Sequence, residues 1–453
     1  MYRRKLYDRL LEWKEQGQGK TALLVEGARR VGKSTLAEEF ARNEYESHLL
    51  IDFSIAPAQV RQAFLDFPDD LDSLLLYLQT YYGVRLWRRK SLVVFDEVQR
   101  FPKARELVKH LVADGRYDYL ETGSLISIRK NVADILIPSE EESVSLDPMD
   151  FEEFLWAAEE GLLADAIRGS FQNRRGLPSG LHDKAMRLWR EYLLVGGMPQ
   201  VVSAYLDGRD MQAADTEKRR ILKLYRDDIV KFAEGEAGRV SAIFDEMPGQ
   251  LSKHEKKFTL SALDRDARSR TYAGAFFWLG DARISNNCFN CTDPTVGLSM
   301  NLESSKLKCY MADTGLLVSH AFADRAVTPN EVYKDILFGK LEVNEGMLVE
   351  NMVAQQLHAS GHRLFFFSRE GDGPEGRMEI DFLVAGEYEN AAMKLRVCPV
   401  EVKAGKGRYA TASLDKFKRR YGSRIGTQYV LHRKELRVEG DRVYLPLYMA
   451  HLL

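Results

Sequence analysis

The 453-residue sequence holds only four cysteines, Cys288, Cys291, Cys309 and Cys398. Four are too few for a disulfide framework in a chain of this length, so reduced thiols in a cytoplasmic protein are expected. No run of about 18 apolar residues occurs, which excludes a helical membrane span. The opening stretch from Met1 to Arg9 is charged, and no apolar segment of the kind a secretory signal requires follows it. An excess of charge is missing too: 65 Lys and Arg against 67 Asp and Glu leave a formal charge of −2. Nothing therefore draws the whole chain to nucleic acid, and any such contact has to come from a local patch. Cys288-Phe289-Asn290-Cys291 has C-x-x-C spacing, but no second pair or histidine cluster follows at zinc distance, and no metal is expected there.

What is present is a soluble, globular composition, 45% hydrophobic and 29% charged, in a chain long enough for several domains. Its organising stretch is Gly27-Ala28-Arg29-Arg30-Val31-Gly32-Lys33-Ser34-Thr35, which reads G-x-x-x-x-G-K-S. An apolar run of strand length, Thr21 to Val25, precedes it, and a helical composition from Leu36 to Ala41 follows. A strand entering a glycine-rich turn that opens a helix aims several backbone N–H groups at one point, with the positive helix end behind them. Gly27 and Gly32 permit the turn, Lys33 can reach the β- and γ-phosphates of ATP, and the Ser34 hydroxyl can hold Mg²⁺.

A continuous apolar run, Ser91 to Phe95, ends in Asp96-Glu97 and reads as a strand buried on both faces of a parallel sheet. At its C-terminal edge Asp96 can take part in holding the Mg²⁺, and Glu97 can orient and deprotonate the attacking water. Further strands are expected at Leu49–Phe53, Tyr117–Ser124 and Ser143–Leu146. Thr122 or Ser124 is placed to sense the γ-phosphate. The phosphate loop, Phe95-Asp96-Glu97-Val98-Gln99, Thr122-Gly123-Ser124 and the stretch Asp147 to Leu155 together resemble a prokaryotic family of AAA-type ATPases, related to the archaeal ATPases, that carries a C-terminal domain of unknown function. The resemblance implies an ATPase in which Lys33 and Ser34 bind nucleotide, Asp96 binds Mg²⁺ and Glu97 activates water. Arg100, Arg129 and Arg226 are all candidates for an arginine finger.

From Phe151 to about Lys231 the pattern is helical, broken at Gly196-Gly197-Met198-Pro199, and reads as a helical lid. Small helices followed by short strands between about Gly238 and Leu317 fit a winged helix, to which the family resemblance also points. Lys253, Lys256, Lys257, Arg265, Arg268 and Arg270 could contact phosphate there, although acids are interleaved with them. Farther on, Glu379-Ile380-Asp381 alternates acidic and apolar residues, and Val400-Glu401-Val402-Lys403 ends a strand. Residues two apart on a strand share a face. An Asp, then Glu-x-Lys about twenty residues later, preceded by the helical Glu350, resembles the PD-(D/E)xK nuclease superfamily. That resemblance implies Mg²⁺ on Asp381, Glu401 and Glu350, with Lys403 polarising water. A basic stretch including Lys394, Lys406, Arg408, Lys418 and Arg424 lies beside it.

The expected architecture is α/β throughout. A P-loop NTPase core with a parallel sheet spans 1–155, a helical lid 156–235, a winged-helix-like domain 236–325, and a restriction-endonuclease-like domain 326–453. Two functions of different class follow: an ATPase acting on DNA through a nuclease-fold effector, or a nucleotide-gated scaffold that binds without cutting. A metabolic kinase would leave the Glu-x-Lys region unexplained. Oligomerisation is open.

Overall fold

The computed structural model describes residues 1–124, 140–233, 235–253, 257–263, 269–324, 326–337, 345–371, 376–386, 396–405 and 411–453. They form two compact units, one of residues 1–147 with 281–283, the other of residues 148–280 with 284–453.

In the first unit α1 (Leu6–Gly17) leads to β1 (Ala22–Glu26), the glycine-rich turn and α2 (Lys33–Glu44). β2 (Ser47–Asp52), α3 (Ala58–Asp66), α4 (Leu71–Tyr82), β3 (Ser91–Asp96), α5 (Pro102–Asp114), β4 (Asp118–Gly123) and β5 (Glu141–Ser145) follow. The strands lie in the order β2-β3-β4-β1-β5, all neighbours parallel. Every residue of β1 and β3 is buried, which is why both read as unbroken apolar runs rather than alternating ones. β4 therefore separates the strand entering the phosphate loop from the strand ending at Asp96. Phe53, Phe64, Phe95 and Phe101 pack with ring centroids 5.3–5.9 Å apart. These rings tie α3 and the start of α5 to β2 and β3.

The second unit opens with helices α6 (Phe151–Ala157), α7 (Gly161–Gln172), α8 (Ser179–Val195), α9 (Pro199–Leu206), α10 (Met211–Phe232), α11 (Ala237–Leu251) and α12 (Ser269–Asp281). α6 starts on a reciprocal cap: Asp150 accepts from the Glu153 N–H at 2.9 Å and Glu153 accepts from the Asp150 N–H at 3.2 Å. Then come β6 (Ser285–Cys291), β7 (Leu302–Met311), α13 (Thr314–Ala321), α14 (Asn330–Leu337), α15 (Glu345–Ala359), β8 (Phe365–Arg369), β9 (Met378–Ala385), β10 (Val397–Val402), α16 (Ala412–Tyr421), β11 (Gln428–His432), β12 (Arg437–Glu439) and β13 (Arg442–Pro446). The strands form one mixed sheet, β12-β13-β11-β10-β9-β8-β6-β7.

The expected divisions at 155/156, 235/236 and 325/326 all lie within the second unit. The hairpin that read as a wing, β6–β7, is hydrogen-bonded into this sheet, with Phe289 and Asn290 paired in parallel to Phe365 and Phe366. A division at 325/326 would run through a single sheet. The helices of 156–235 belong to the same unit as that sheet. Local pattern identifies a hairpin, but its partner strand is far along the chain and leaves no local signal.

Candidate functional site

The phosphate loop begins where β1 ends and closes on α2. Gly27 is required by close approach, because a Cβ there would meet the Leu146 carbonyl oxygen at 2.3 Å. Gly32, at φ 99°, sits at the cap of α2 with no side chain hydrogen-bonded across the helix end. The first N–H groups of α2 are thus left for an anion. Ala28 and Val31 are buried and anchor the loop, Arg30 takes a left-handed conformation at φ 68°, and Thr35 is exposed in the first turn of α2. The Lys33 ammonium donates to the carbonyls of Gly27 at 3.1 Å and Ala28 at 2.9 Å. Burial lowers the Lys33 pKa, with the charges of Glu97 and Asp96 opposing that shift and Arg29 adding to it.

Two hydroxyls converge on one oxygen of Asp96. Ser34 donates to Asp96 Oδ1 at 2.8 Å, and Thr122 donates to the same oxygen. Burial raises the Asp96 pKa, while the bonds from Thr122 and Ser34 pull it down. The adjacent Glu97 turns into a left-handed conformation at φ 53°. Its N–H donates to Thr122 Oγ1 at 3.3 Å, and its carboxylate accepts from Gln99 Nε2 at 2.6 Å. Lys33, Ser34, Asp96, Glu97 and Thr122 are accordingly assembled at one edge of the parallel sheet.

Two participants escaped the sequence reading. Gln99 lies within the quoted stretch 95–99, so its proximity to Glu97 was available from spacing alone. Arg4 was not: it is buried, and its guanidinium donates to the Val31 carbonyl at 3.0 Å and to the Asp147 carbonyl. This brace spans from before α1 to the loop and to the chain after β5. Of the arginine-finger candidates, Arg100 is exposed at the end of a 3₁₀ turn, Arg226 pairs with Asp245 at 2.8 Å, and Arg129 lies outside the described residues.

In the second unit Glu350 is on α15, Glu379 and Asp381 on β9, Glu401 on β10, and Lys403 just beyond it. Asp381 accepts from the Val402 N–H at 2.8 Å, and Lys403 pairs with Glu401 at 2.8 Å. Glu401 is buried, which pushes its pKa up to about 7 against the pull of Lys403. Unforeseen here is Lys308 on β7. Only 1% of its side chain is exposed, and its Nζ lies 3.2 Å from Glu350, 3.1 Å from Glu379 and 3.9 Å from Asp381. Burial would lower the Lys308 pKa, but Glu350, Asp381 and Glu379 outweigh it and hold the pKa above the ordinary value. Tyr310, two residues on and so on the same strand face, donates to the same Glu350 oxygen. Among the described residues no group of three or more His, Cys, Asp or Glu side chains is arranged to hold a metal ion.

Some of the expected basic residues have acidic partners. Lys257 pairs with Glu370, Lys418 with Asp441 and Arg424 with Asp293. Lys256, Arg265, Arg268, Lys394, Lys406 and Arg408 lie outside the described residues. Cys288 and Cys291 are buried as free thiols, and Cys291 donates to the Asp293 carbonyl at 3.3 Å. No helix among the described residues is long and apolar enough to cross a membrane.

No curated protein matches the chain. Among solved structures, a signal-transduction ATPase with numerous domains and a tetratricopeptide-repeat sensor from Pyrococcus horikoshii aligns at 12% identity and a TM-score of 0.25, over 77% of this chain and 47% of that one. The chain thus spans about half the length of that protein. Drosophila ORC bound to DNA aligns at 13% identity and a TM-score of 0.24, over 71% and 95%. The Hef helicase domain of Pyrococcus furiosus aligns at 12% identity and a TM-score of 0.18, over 96% and 91%. These overlays are too loose to bear on fold or function. Residues 186–326 match a domain of unknown function (DUF8612), and residues 345–450 match another (DUF4143). Residues 19–155 match the AAA domain family, and the glycine-rich loop, the Asp96-Glu97 strand end and the parallel sheet all lie within that stretch.

Proposed function

We propose that the chain is a Mg²⁺-dependent ATPase whose turnover is coupled to nucleic-acid contact by the second unit. The observation that carries this reading is the convergence of the Ser34 and Thr122 hydroxyls on Asp96 Oδ1, with Glu97 next in the chain. ATP phosphates meet the N–H groups at the start of α2, and Lys33 exchanges the Gly27 and Ala28 carbonyls for phosphate oxygens. Hydroxyl and carboxylate oxygens suit a hard cation, so Ser34 and Asp96 are the residues to hold Mg²⁺, which neutralises phosphate charge when bound. Glu97 orients water for attack on the γ-phosphorus and takes its proton as the bond to ADP breaks. Thr122, bonded to both Asp96 and the Glu97 backbone, keeps these two carboxylates in fixed relation.

For the second unit, the support is the succession α15, β8, β9, β10, α16, β11, with Glu350 on the helix and Asp381 and Glu401 on neighbouring antiparallel strands. This arrangement agrees with the nuclease-like reading and favours nucleic acid as partner. The reading in which that domain binds without cutting is favoured by Lys308, whose ammonium sits among the carboxylates.

Phosphate release from Mg²⁺-ATP, with and without DNA, tests the proposal on wild type and Lys33→Ala. Turnover that depends on Lys33 and rises with DNA is expected. Turnover unchanged in Lys33→Ala would remove the loop from the mechanism, and indifference to DNA would leave a nucleotide-gated switch with a protein partner.

A further inference from the structure

We propose that Lys308 is a resident cation: its ammonium holds, among Glu350, Glu379 and Asp381, the place a divalent ion would need. The cluster is closed to metal in the native chain and becomes a metal site when the ammonium is removed.

Lys308 comes from β7 at the sheet edge, whereas its partners come from α15 and β9, so three elements meet at one cation. The Nζ is within 3.2 Å of oxygens from Glu350 and Glu379 and 3.9 Å from Asp381. The Phe366 ring centroid is 5.1 Å from it, adding an attractive face. The cluster therefore already binds a cation, one supplied by the chain itself.

Competition follows from bond lengths. Mg²⁺ or Mn²⁺ takes carboxylate oxygens at about 2.0–2.2 Å. An ion on either of the two nearer oxygens would lie within about 5 Å of the ammonium, where like charges repel strongly at low dielectric. Without the Lys308 side chain, the three carboxylates that approach one Nζ at 3.1–3.9 Å lose the cation they share. Charge makes the same point. Deleting the ammonium removes the positive charge shared by buried Glu350 and the partly exposed Glu379 and Asp381, a deficit relieved by taking up a cation.

Glu401 has its own ammonium partner in Lys403. The acids that resemble a nuclease metal set are thus each matched to a lysine of this chain. The proposal stands on the cluster alone, and it rests on the nuclease-like reading only for what a bound metal would then do.

The test is Mn²⁺ titration of the full nucleotide-free chain, with free Mn²⁺ read by electron paramagnetic resonance. Wild type and Asp381→Asn are expected to bind the same number of ions. Lys308→Ala is expected to gain one, and Lys308→Ala/Asp381→Asn to lose it again. A wild-type ion that disappears in Asp381→Asn would overturn the proposal, as would a folded Lys308→Ala that gains none. Should Lys308→Ala fail to fold, the comparison of wild type with Asp381→Asn decides alone, because the asparagine carbonyl can still accept the Val402 N–H. Plasmid cleavage is read in parallel. An ion gained by Lys308→Ala without cleavage supports the resident cation while counting against the nuclease-like reading.

Discussion

Glu97 is held at both ends, its N–H on Thr122 and its carboxylate on Gln99, and this restraint gives it a testable role. Glu97→Gln should bind ATP with wild-type affinity yet hydrolyse it about 10²–10⁴-fold more slowly, the usual contribution of a positioned base. A fluorescent-nucleotide titration beside a turnover assay checks this, and lost binding would make Glu97 structural. Glu401 offers a second residue-level expectation. Its folded pKa, raised to about 7 by burial, lies above its unfolded value of roughly 4.3. The folded state therefore binds the extra proton between those values, and the associated stability is present below the lower value and lost as pH rises through the upper. Glu401→Gln should remove that slope, a difference of order a few kcal/mol across the window, visible as urea midpoints compared from pH 4.5 to 8. Identical pH profiles for the two proteins would sink it. Lys33, Ser34, Asp96, Glu97 and Thr122 were legible because a loop signature and two strand ends place them. Lys308 and Arg4 were not, because what they touch is fixed by packing over long sequence distances.

At the scale of elements, the parallel sheet was readable because β1 and β3 are buried on both faces and so appear as apolar runs. The partner of β6 was not readable, since pairing Phe289 with Phe365 is a choice between strands that look alike locally. Gly27→Ala should disrupt the turn between β1 and α2, because its Cβ would meet the Leu146 O at 2.3 Å and that oxygen is backbone, not the end of a flexible side chain. Nucleotide binding should fall sharply while the circular dichroism of the chain changes little; unimpaired binding would show that the loop relaxes without cost. Phe64→Ala removes the ring that joins α3 to Phe53, Phe95 and Phe101. Its first-unit unfolding transition should lose about 3–5 kcal/mol, read from urea denaturation, and a loss well under about 1 kcal/mol would mean that the cluster repacks.

For the whole molecule, a net charge of −2 means that DNA contact, if made by a local basic face, should weaken steeply with salt. Stimulation of ATP turnover by DNA should decline in step between about 50 and 200 mM salt; a flat response would point to a protein partner instead. The two units differ in how their chain is spent. The first is continuous from residue 1 to 147 apart from the short return at 281–283, whereas the sheet of the second takes strands from residue 285 to residue 446. Its order of strands, β12-β13-β11-β10-β9-β8-β6-β7, leaves Lys308 waiting for carboxylates that are translated later. At roughly 5–20 residues per second, the ribosome needs several seconds between Lys308 and Asp381. Until Glu350 is made the nascent hairpin carries an ammonium without any of its three carboxylates, and the set is complete only once β9 has emerged.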